Sequence, residues 1–562
     1  MPSAVESAFA ADPVLDPPTL HCLGAYWVVP DGGNAGVAVA YRKSGQADWH
    51  AGAPLFRVEP GKHIAAKYGS RIDVPDGAAL FAGSVVDLEP GTPYDLRLSL
   101  NRGNQTLTRT MQTRTRAEPQ VPANAPIRHV IPDPTGTGGG SGTAADPFRG
   151  LAAAQKAAKP GDVLFLHPGT YTGEIPVTRC GDQGRPIVWR GESADKVILD
   201  GKGHPGEDGG RVISASDTHD LTFENLTITN AQYGIVAHDA SRITIRRCRI
   251  TRVDYGVAAT RNAKDHCRDF LIADNVIEGP STWPRTKGIE NARGVQLTGA
   301  GHVVCYNRIR GFADAIDTFT SSRCEAIDFH NNEISEMTDD GVELDYSQHN
   351  VRCFDNRFTN VFQGISVQPI LGGPVYVFRN SLCNVAMEPF KIHNSPSGAL
   401  FYHNTVVKRG QPLLLFTREP ASNIISRNNL FVGTAGDYAM QFEPKMNHCD
   451  FDYDGFGSGD YRQFLKWNGQ RYPTFDLMRS KAPIERHATL VDAATAFASG
   501  ARPPADEKQQ QQSADLRLAE KSAAIDAGQP LPGFNDAFTG RAPDLGAYEV
   551  GRLLPHYGPR QD

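Results

Sequence analysis

Two short stretches concentrate the groups that could do chemistry. ADAID at 313–317 and TDDGVELD at 338–345 carry Asp314, Asp317, Asp339, Asp340, Glu343 and Asp345. Further along, Glu388, Lys391 and His393 stand close together in the chain. Carboxylates brought near one another cannot all ionise cheaply. Either one keeps its proton, or a cation neutralises the group. The first outcome puts an acid beside a base, which glycoside hydrolysis requires. The second makes a calcium site, because Ca2+ prefers several carboxylate oxygens. Asp-rich turns bonded to their own backbone are the plainer alternative, and they suit Asp339 and Asp340 better than Glu343 or Asp345.

The elements that must position these groups are legible as a repeat. An Asn followed two residues later by an apolar residue recurs as Asn275, Asn307, Asn332, Asn356, Asn380, Asn404 and Asn429, at intervals of 32, 25, 24, 24, 24 and 25 residues. Cys248 holds the equivalent place one coil earlier. A period near 24 with short β-rich runs predicts one three-strand coil per repeat, stacked as a right-handed parallel β-helix. Stacked asparagines can then hydrogen-bond from coil to coil.

A second column sets the register: Gly234-Ile235, Gly256-Val257, Gly294-Val295, Ala315-Ile316, Gly341-Val342, Gly364-Ile365, Pro389-Phe390 and Pro412-Leu413. Strand side chains alternate, so Val342 and Leu344 are expected to point inward, and Glu343 and Asp345 outward. Just before the small residue stand Tyr233, Tyr255, Arg293, Asp314, Asp340, Gln363 and Glu388. Just after the apolar residue stand Gln296, Asp317, Glu343, Ser366 and Lys391, and two further on Asp345, Gln368 and His393. Adjacent coils are about 4.8 Å apart, so the acids fall on two neighbouring rungs. Arg293, Asp317, Gln363, Gln368, Glu388 and His393 are the candidate substrate contacts, and Tyr233 and Tyr255 could stack on sugar rings. His349 reads as a solvated turn residue. The longer interval between Val257 and Val295 marks an inserted loop near 261–290 that could wall a groove.

Around this repeat the 562 residues divide into a tail (1–18), a small β-sandwich (19–118), a linker (119–147), the β-helix with a capping helix at its start (148–460), and a C-terminal segment (461–562) with a flexible stretch near 498–513. The fold class is all-β. FRGLAAAQKAAK at 148–159 reads as a short amphipathic helix, which can cover the open end of a solenoid. Asp526 and Asp544 read as turn formers. The net charge of -6 argues against nucleic acid as a partner, and no apolar run approaches a membrane span. Nine scattered cysteines without a C-x-x-C pair suggest neither a zinc site nor a disulfide framework. The N-terminus lacks a charged region followed by an apolar one, so a secreted or periplasmic location is argued from fold and function. A monomer is expected.

Several stretches resemble known families. Leu88-Glu89-Pro90-Gly91-Thr92-Pro93-Tyr94 resembles the tyrosine corner of fibronectin type III domains, where the ring fills the core and the hydroxyl satisfies backbone. The helix and strand at 148–171 resemble the N-terminal cap of the pectate lyase superfamily, and 522–549 resembles a segment that follows many bacterial β-helix domains. ADAID, TDDGVEL, QGISV and FKIH together resemble the polygalacturonase-like glycoside hydrolases. That resemblance implies Asp314, Asp339 and Asp340 as catalytic carboxylates, one acting as acid and two activating water, with no cofactor required. Gln363 and Lys391-Ile392-His393 depart from that family's His-Gly and Arg-Ile-Lys.

TDDGVEL and FKI also resemble the calcium-dependent pectate lyases that use a lysine base. This implies Asp314, Asp339, Asp340 and Glu343 as Ca2+ ligands and Lys391 as the base. Because the Gln363 coil lies between Lys391 and the acids, rung order favours hydrolysis of a polysaccharide or oligosaccharide. Calcium-dependent elimination on a uronate polymer is the second reading. A non-catalytic glycan-binding surface β-helix is the third.

Overall fold

The structure is a computed structural model that describes residues 12–58, 74–260, 267–286, 288, 290–318, 324–415 and 417–561. Its first unit is one antiparallel sheet of seven strands, with Leu23–Val29, Ala79–Val85 and Pro93–Arg102 among them. Alternating apolar residues from both halves of this sheet enclose Trp27 and Leu98. Tyr94 is buried, and its hydroxyl accepts the Glu89 N–H at 3.0 Å, which is the expected corner. Fibronectin type III topology is not confirmed, because pairing follows one continuous path rather than two separate sheets. Residues of the expected tail enter this sheet as Val14–Leu15, and Asp16 is buried against His349 and Asn350.

Helix Leu151–Ala157 follows, with Leu151 and Ala154 joining the solenoid core. Beyond it the strands of the solenoid stack in parallel, coil on coil. The asparagine ladder forms as expected. Each Asn turns its Oδ1 toward the preceding coil, so Asn332 N and Nδ2 both donate to Asn356 Oδ1 at 3.0 Å, and Asn356 repeats this on Asn380 at 3.1 and 3.0 Å. Asp454 ends the ladder by accepting from Asn429.

The apolar column is equally regular. Ile235, Val257, Val295, Ile316, Val342, Ile365 and Phe390 pair in sequence. The small residue before each has a spatial cause. A Cβ on Gly256 would lie 2.4 Å from Gly294 O, and one on Gly364 would lie 2.2 Å from Pro389 O. Leu413 leaves the column and pairs with Met440 in a separate four-stranded sheet.

The solenoid runs one strand past residue 460, because Thr489–Val491 pairs with Gly455–Gly457. The stretch 498–513, expected to be flexible, is strapped to the coils: Asn360 Nδ2 donates to Gln511 O at 2.9 Å and Asn384 Nδ2 to Gln509 O at 3.1 Å. Asp526 and Asp544 cap backbone N–H groups as turn formers. None of the nine cysteines is in a disulfide. Among the described residues, no helix is long and apolar enough to cross a membrane.

Candidate functional site

Four consecutive rungs of one parallel sheet build the site. Asp314 and Asp317 come from strand Asp314–Asp317. Asp339, Asp340 and Glu343 come from Glu333–Glu343, with Asp345 just beyond it. Gln363 and Ser366 come from Arg357–Ser366 on the next rung. Lys391, in Phe390–Lys391, pairs beside Ser366 one rung further. Val342 and Leu344 point into the core, so Glu343 and Asp345 lie on the opposite face. These outward groups are nonetheless largely covered: Asp340 is 0% and Glu343 8% exposed.

The acids are packed against each other. Asp340 N donates to Asp314 Oδ1 at 3.0 Å across the rungs. One carboxylate oxygen from each of Asp314, Asp340 and Glu343 lies within 4.8 Å of the others. Three cations answer the six carboxylates. Arg293 contacts Asp317 at 2.5 Å and Asp314 at 3.5 Å. Arg285 lies 3.6 Å from Asp339. Lys391 Nζ lies 2.6 Å from Asp340 Oδ2 and 3.9 Å from Glu343 Oε1.

That last distance corrects the objection from rung order. Lys391 reaches across the intervening coil because Ser366 is small and turns its hydroxyl to Asp345 Oδ1 at 2.7 Å. Asp345 also accepts from Gln368 N at 2.7 Å.

Burial, with the crowding of like charge, raises these carboxyls. Burial, reinforced by the charge of Asp340, pushes the Asp314 carboxyl well above the ordinary range. Burial and then Asp314 do the same to Glu343. Burial raises Asp340 to about 6, although Lys391 pulls it down, and raises Asp345 to about 8. Burial disfavours the Lys391 ammonium, but Asp340 and Asp345 outweigh it and hold the amine charged.

A hard cation fits this donor set. Asp340 Oδ1 and Glu343 Oε2 are buried without a hydrogen-bond partner among the described residues, and the three converging ligand atoms of Asp314, Asp340 and Glu343 are carboxylate oxygens. Of the four metal ligands implied by resemblance, Asp314, Asp340 and Glu343 converge, whereas Asp339 faces Arg285.

Other expected contacts divide. Asp317 is fully buried beneath Arg293 and Gln296. Arg293 is engaged with Asp317 and Asp314 rather than presented alone to a sugar. Gln363 and Gln368 are part-exposed beside the acids. Glu388 is buried with His393 Nε2 2.7 Å from its Oε2. Tyr233 and Tyr255 stack on each other at 4.7 Å, so the ring faces turned toward each other are taken. His349, expected to be solvated, is buried against Asp16 at 3.0 Å.

Sequence reasoning missed Arg285. It sits on the inserted loop, stacks 4.4 Å over Phe362 and reaches Asp339. The length of the insertion was the available signal, but nothing in it marked this residue. Residues 261–266, 287 and 289 of that loop lie outside the described residues. A cavity of about 430 Å³ between Tyr41, Arg379 and Phe534 holds none of the clustered acids.

Comparison with known proteins agrees on the fold. Residues 211–368 match the family model described as a right handed beta helix region. The uncharacterized protein YwoF of Bacillus subtilis (strain 168) is 31% identical over 101 residues, spanning 18% of this chain and 22% of that protein. The pectate lyase Pel9A structure is 16% identical with a TM-score of 0.38, covering 76% of this chain and 97% of that one. The catalytic domain of a GH87 α-1,3-glucanase, solved with tetrasaccharides, is 10% identical with a TM-score of 0.29, covering 80% and 83%.

Proposed function

We propose that this protein degrades a uronate-containing polysaccharide by β-elimination, with Lys391 accepting the proton beside the uronate carboxylate. The observation that carries this reading is Lys391 Nζ at 2.6 Å from Asp340, inside a cluster whose Asp340 and Glu343 retain unsatisfied oxygens. Asp314, Asp340 and Glu343 would hold a divalent cation, with Ca2+ the best match to an all-oxygen donor set. When bound, that ion would supply a Lewis acid for the substrate carboxylate and make the neighbouring C–H more acidic. A cation held by Asp340 and Glu343 would offset part of the negative charge that, together with Asp345, favours the Lys391 ammonium, and so would ease release of its proton. The lysine side chain is 11% and Glu343 10% exposed, so both are reachable from outside. A polymeric substrate suits a secreted or periplasmic protein acting as a monomer.

Hydrolysis is the second reading, and Asp345 favours it. Burial raises the Asp345 carboxyl to about 8 and the Asp340 carboxyl, held down by Lys391, only to about 6, and two carboxyls held apart in this way suit an acid and a base.

A panel of polysaccharides assayed for both ultraviolet absorbance and reducing ends separates these readings. Elimination yields a new double bond, and chelator abolishes it. Hydrolysis yields saturated reducing ends that chelator leaves alone, and a glycan-binding module releases neither. Lys391→Ala should cost about 10²–10⁴-fold in elimination rate. An unchanged rate in that variant would remove lysine from the chemistry.

A further inference from the structure

Lys391 meets Asp340 across a coil where the parallel pairing does not run straight. Met337 pairs with Val361 but Asp340 with Gln363, so three steps along one strand answer two along the next. Val361 pairs with Val385 but Ile365 with Phe390, so four steps answer five. An extra residue of this kind bends its strand and re-aims the side chains beyond it. The side chains beyond these shifts include Asp340 and Lys391. Their offset therefore depends on what holds the coils just before the register changes.

Three left-handed residues stand there, one per coil: Glu336, Asn360 and Asn384, with φ of 62°, 58° and 61°. They belong to Glu333–Glu343, Arg357–Ser366 and Ser381–Val385, the strands that lead to Asp340, Ser366 and Lys391. The strap from the C-terminal segment engages all three. Gln510 Nε2 donates to Glu336 Oε1 at 2.7 Å. Asn360 pairs with Gln511 as a strand partner would, its Nδ2 donating to Gln511 O and its Oδ1 accepting from Gln511 N, both at 2.9 Å. Asn384 Nδ2 donates to Gln509 O at 3.1 Å and to Asn360 Oδ1 at 2.8 Å, which joins the two coils directly. Asn360 is 2% and Asn384 0% exposed, so losing these partners would leave buried amides unsatisfied. A fourth tie, Arg409 to Glu507 at 2.6 Å, is exposed and lies one coil past Lys391.

We infer that the strap, residues 507–513, is a splint that sets the offset between Lys391 and Asp340, with Asn360 and Asn384 as positioning residues. The assignment rests on the elimination reading, in which that offset decides whether the amine reaches the proton beside the uronate carboxylate. The splint acts through the coils. It ties the Asp340 coil, the intervening Ser366 coil and the Lys391 coil on the near side of both register shifts, so that each strand enters the site from a fixed start.

The test uses Asn360→Gly and Asn384→Gly, which remove the ties and keep a residue that adopts positive φ at no steric cost. Assayed well below its Tm on a uronate oligosaccharide, each should lose up to about 10²-fold in kcat, the scale of loss that a misplacement of about 1 Å produces, with KM changed far less. Arg409→Ala breaks the strap's tie outside the interval between Asp340 and Lys391, and should leave kcat near that of the unaltered protein. Hydrogen exchange reads the splint without any substrate: amides at 361–366 and 385–391 should exchange faster in both Asn variants and not in Arg409→Ala. Full kcat in both Asn variants, or an equal loss in Arg409→Ala, would overturn the assignment. Absence of unsaturated product from the unaltered protein would instead overturn elimination, and unchanged protection at 385–391 would then overturn the splint by itself.

Discussion

At the scale of single residues, the site is a set of buried acids with too little positive charge. That imbalance links stability to pH. The carboxyls of Asp314, Asp340, Glu343 and Asp345 are all raised in the folded protein. A raised acid binds its proton more tightly folded than unfolded. Its contribution is therefore complete below the unfolded value near 4 and is lost as pH climbs through the folded value. Without divalent cations, Tm should fall as pH rises from about 5 through 6 and 8, where Asp340 and Asp345 ionise. Added Ca2+ should raise Tm more at pH 8 than at pH 5, by the equivalent of about 2.7 kcal/mol at a hundred times Kd. Asp314→Asn and Asp340→Asn should each weaken the calcium effect. Calorimetry across pH, with and without chelator, reads all of this, and a response to calcium that ignores pH would contradict the charge account.

Much of this residue pattern was visible in the sequence, because strand alternation and a 24-residue period are strong constraints. They put Glu343 and Asp345 on one face with Asp314 and Asp340. What they could not convey was side-chain reach. Lys391 spans two rungs because Ser366 leaves the way open, and rung counting alone does not register the length of a lysine.

At the scale of strands, the small-residue column sets how closely the rungs beneath the site approach. Gly364 is the most informative member, since its added Cβ would meet Pro389 O at 2.2 Å, between the Asp340 and Lys391 rungs. Gly364→Ala should therefore cost about 1–3 kcal/mol by overpacking and should spread these two rungs. Urea denaturation measures the first effect. The second should appear as a lower kcat, because Lys391 would no longer meet Asp340 at its present distance. A variant of full stability and full activity would show that the column is not a spacing device. The asparagine ladder is the complementary constraint, and it was the feature read most completely from sequence. Its end was not. Asp454 completes it in place of Asn, with Glu485 beside it, and the final strand at Thr489–Val491 carries no repeat signature strong enough to count.

At the scale of the molecule, the N-terminal sheet is fastened to the solenoid by buried polar contacts. Arg352 is fully buried, pairs with Asp328 and donates to Ser84 Oγ at 2.8 Å. Tyr376 accepts from Ser84 N at 2.9 Å, and Arg379 grips Asp87. Arg352→Ala would strand Asp328 without its counter-ion and should cost about 3–5 kcal/mol. It should also separate the unfolding of the sheet from that of the solenoid, which scanning calorimetry would show as two transitions. One unshifted transition would mean that the interface contributes little. These cross-unit partners had no signature in the sequence, because a lone Arg or Asp at a coil turn looks the same whether it faces water or another unit.

The coil that Lys391 crosses has an evolutionary corollary. A stack of this kind gains or loses length by whole repeats, and its asparagine ladder can continue across such a change. Duplicating or excising one repeat would move the proton acceptor relative to the acids in increments of about 4.8 Å. Finer adjustment must come from the length of the side chain itself. In such a lineage, the number of repeats between acids and base and the identity of the basic residue should change together.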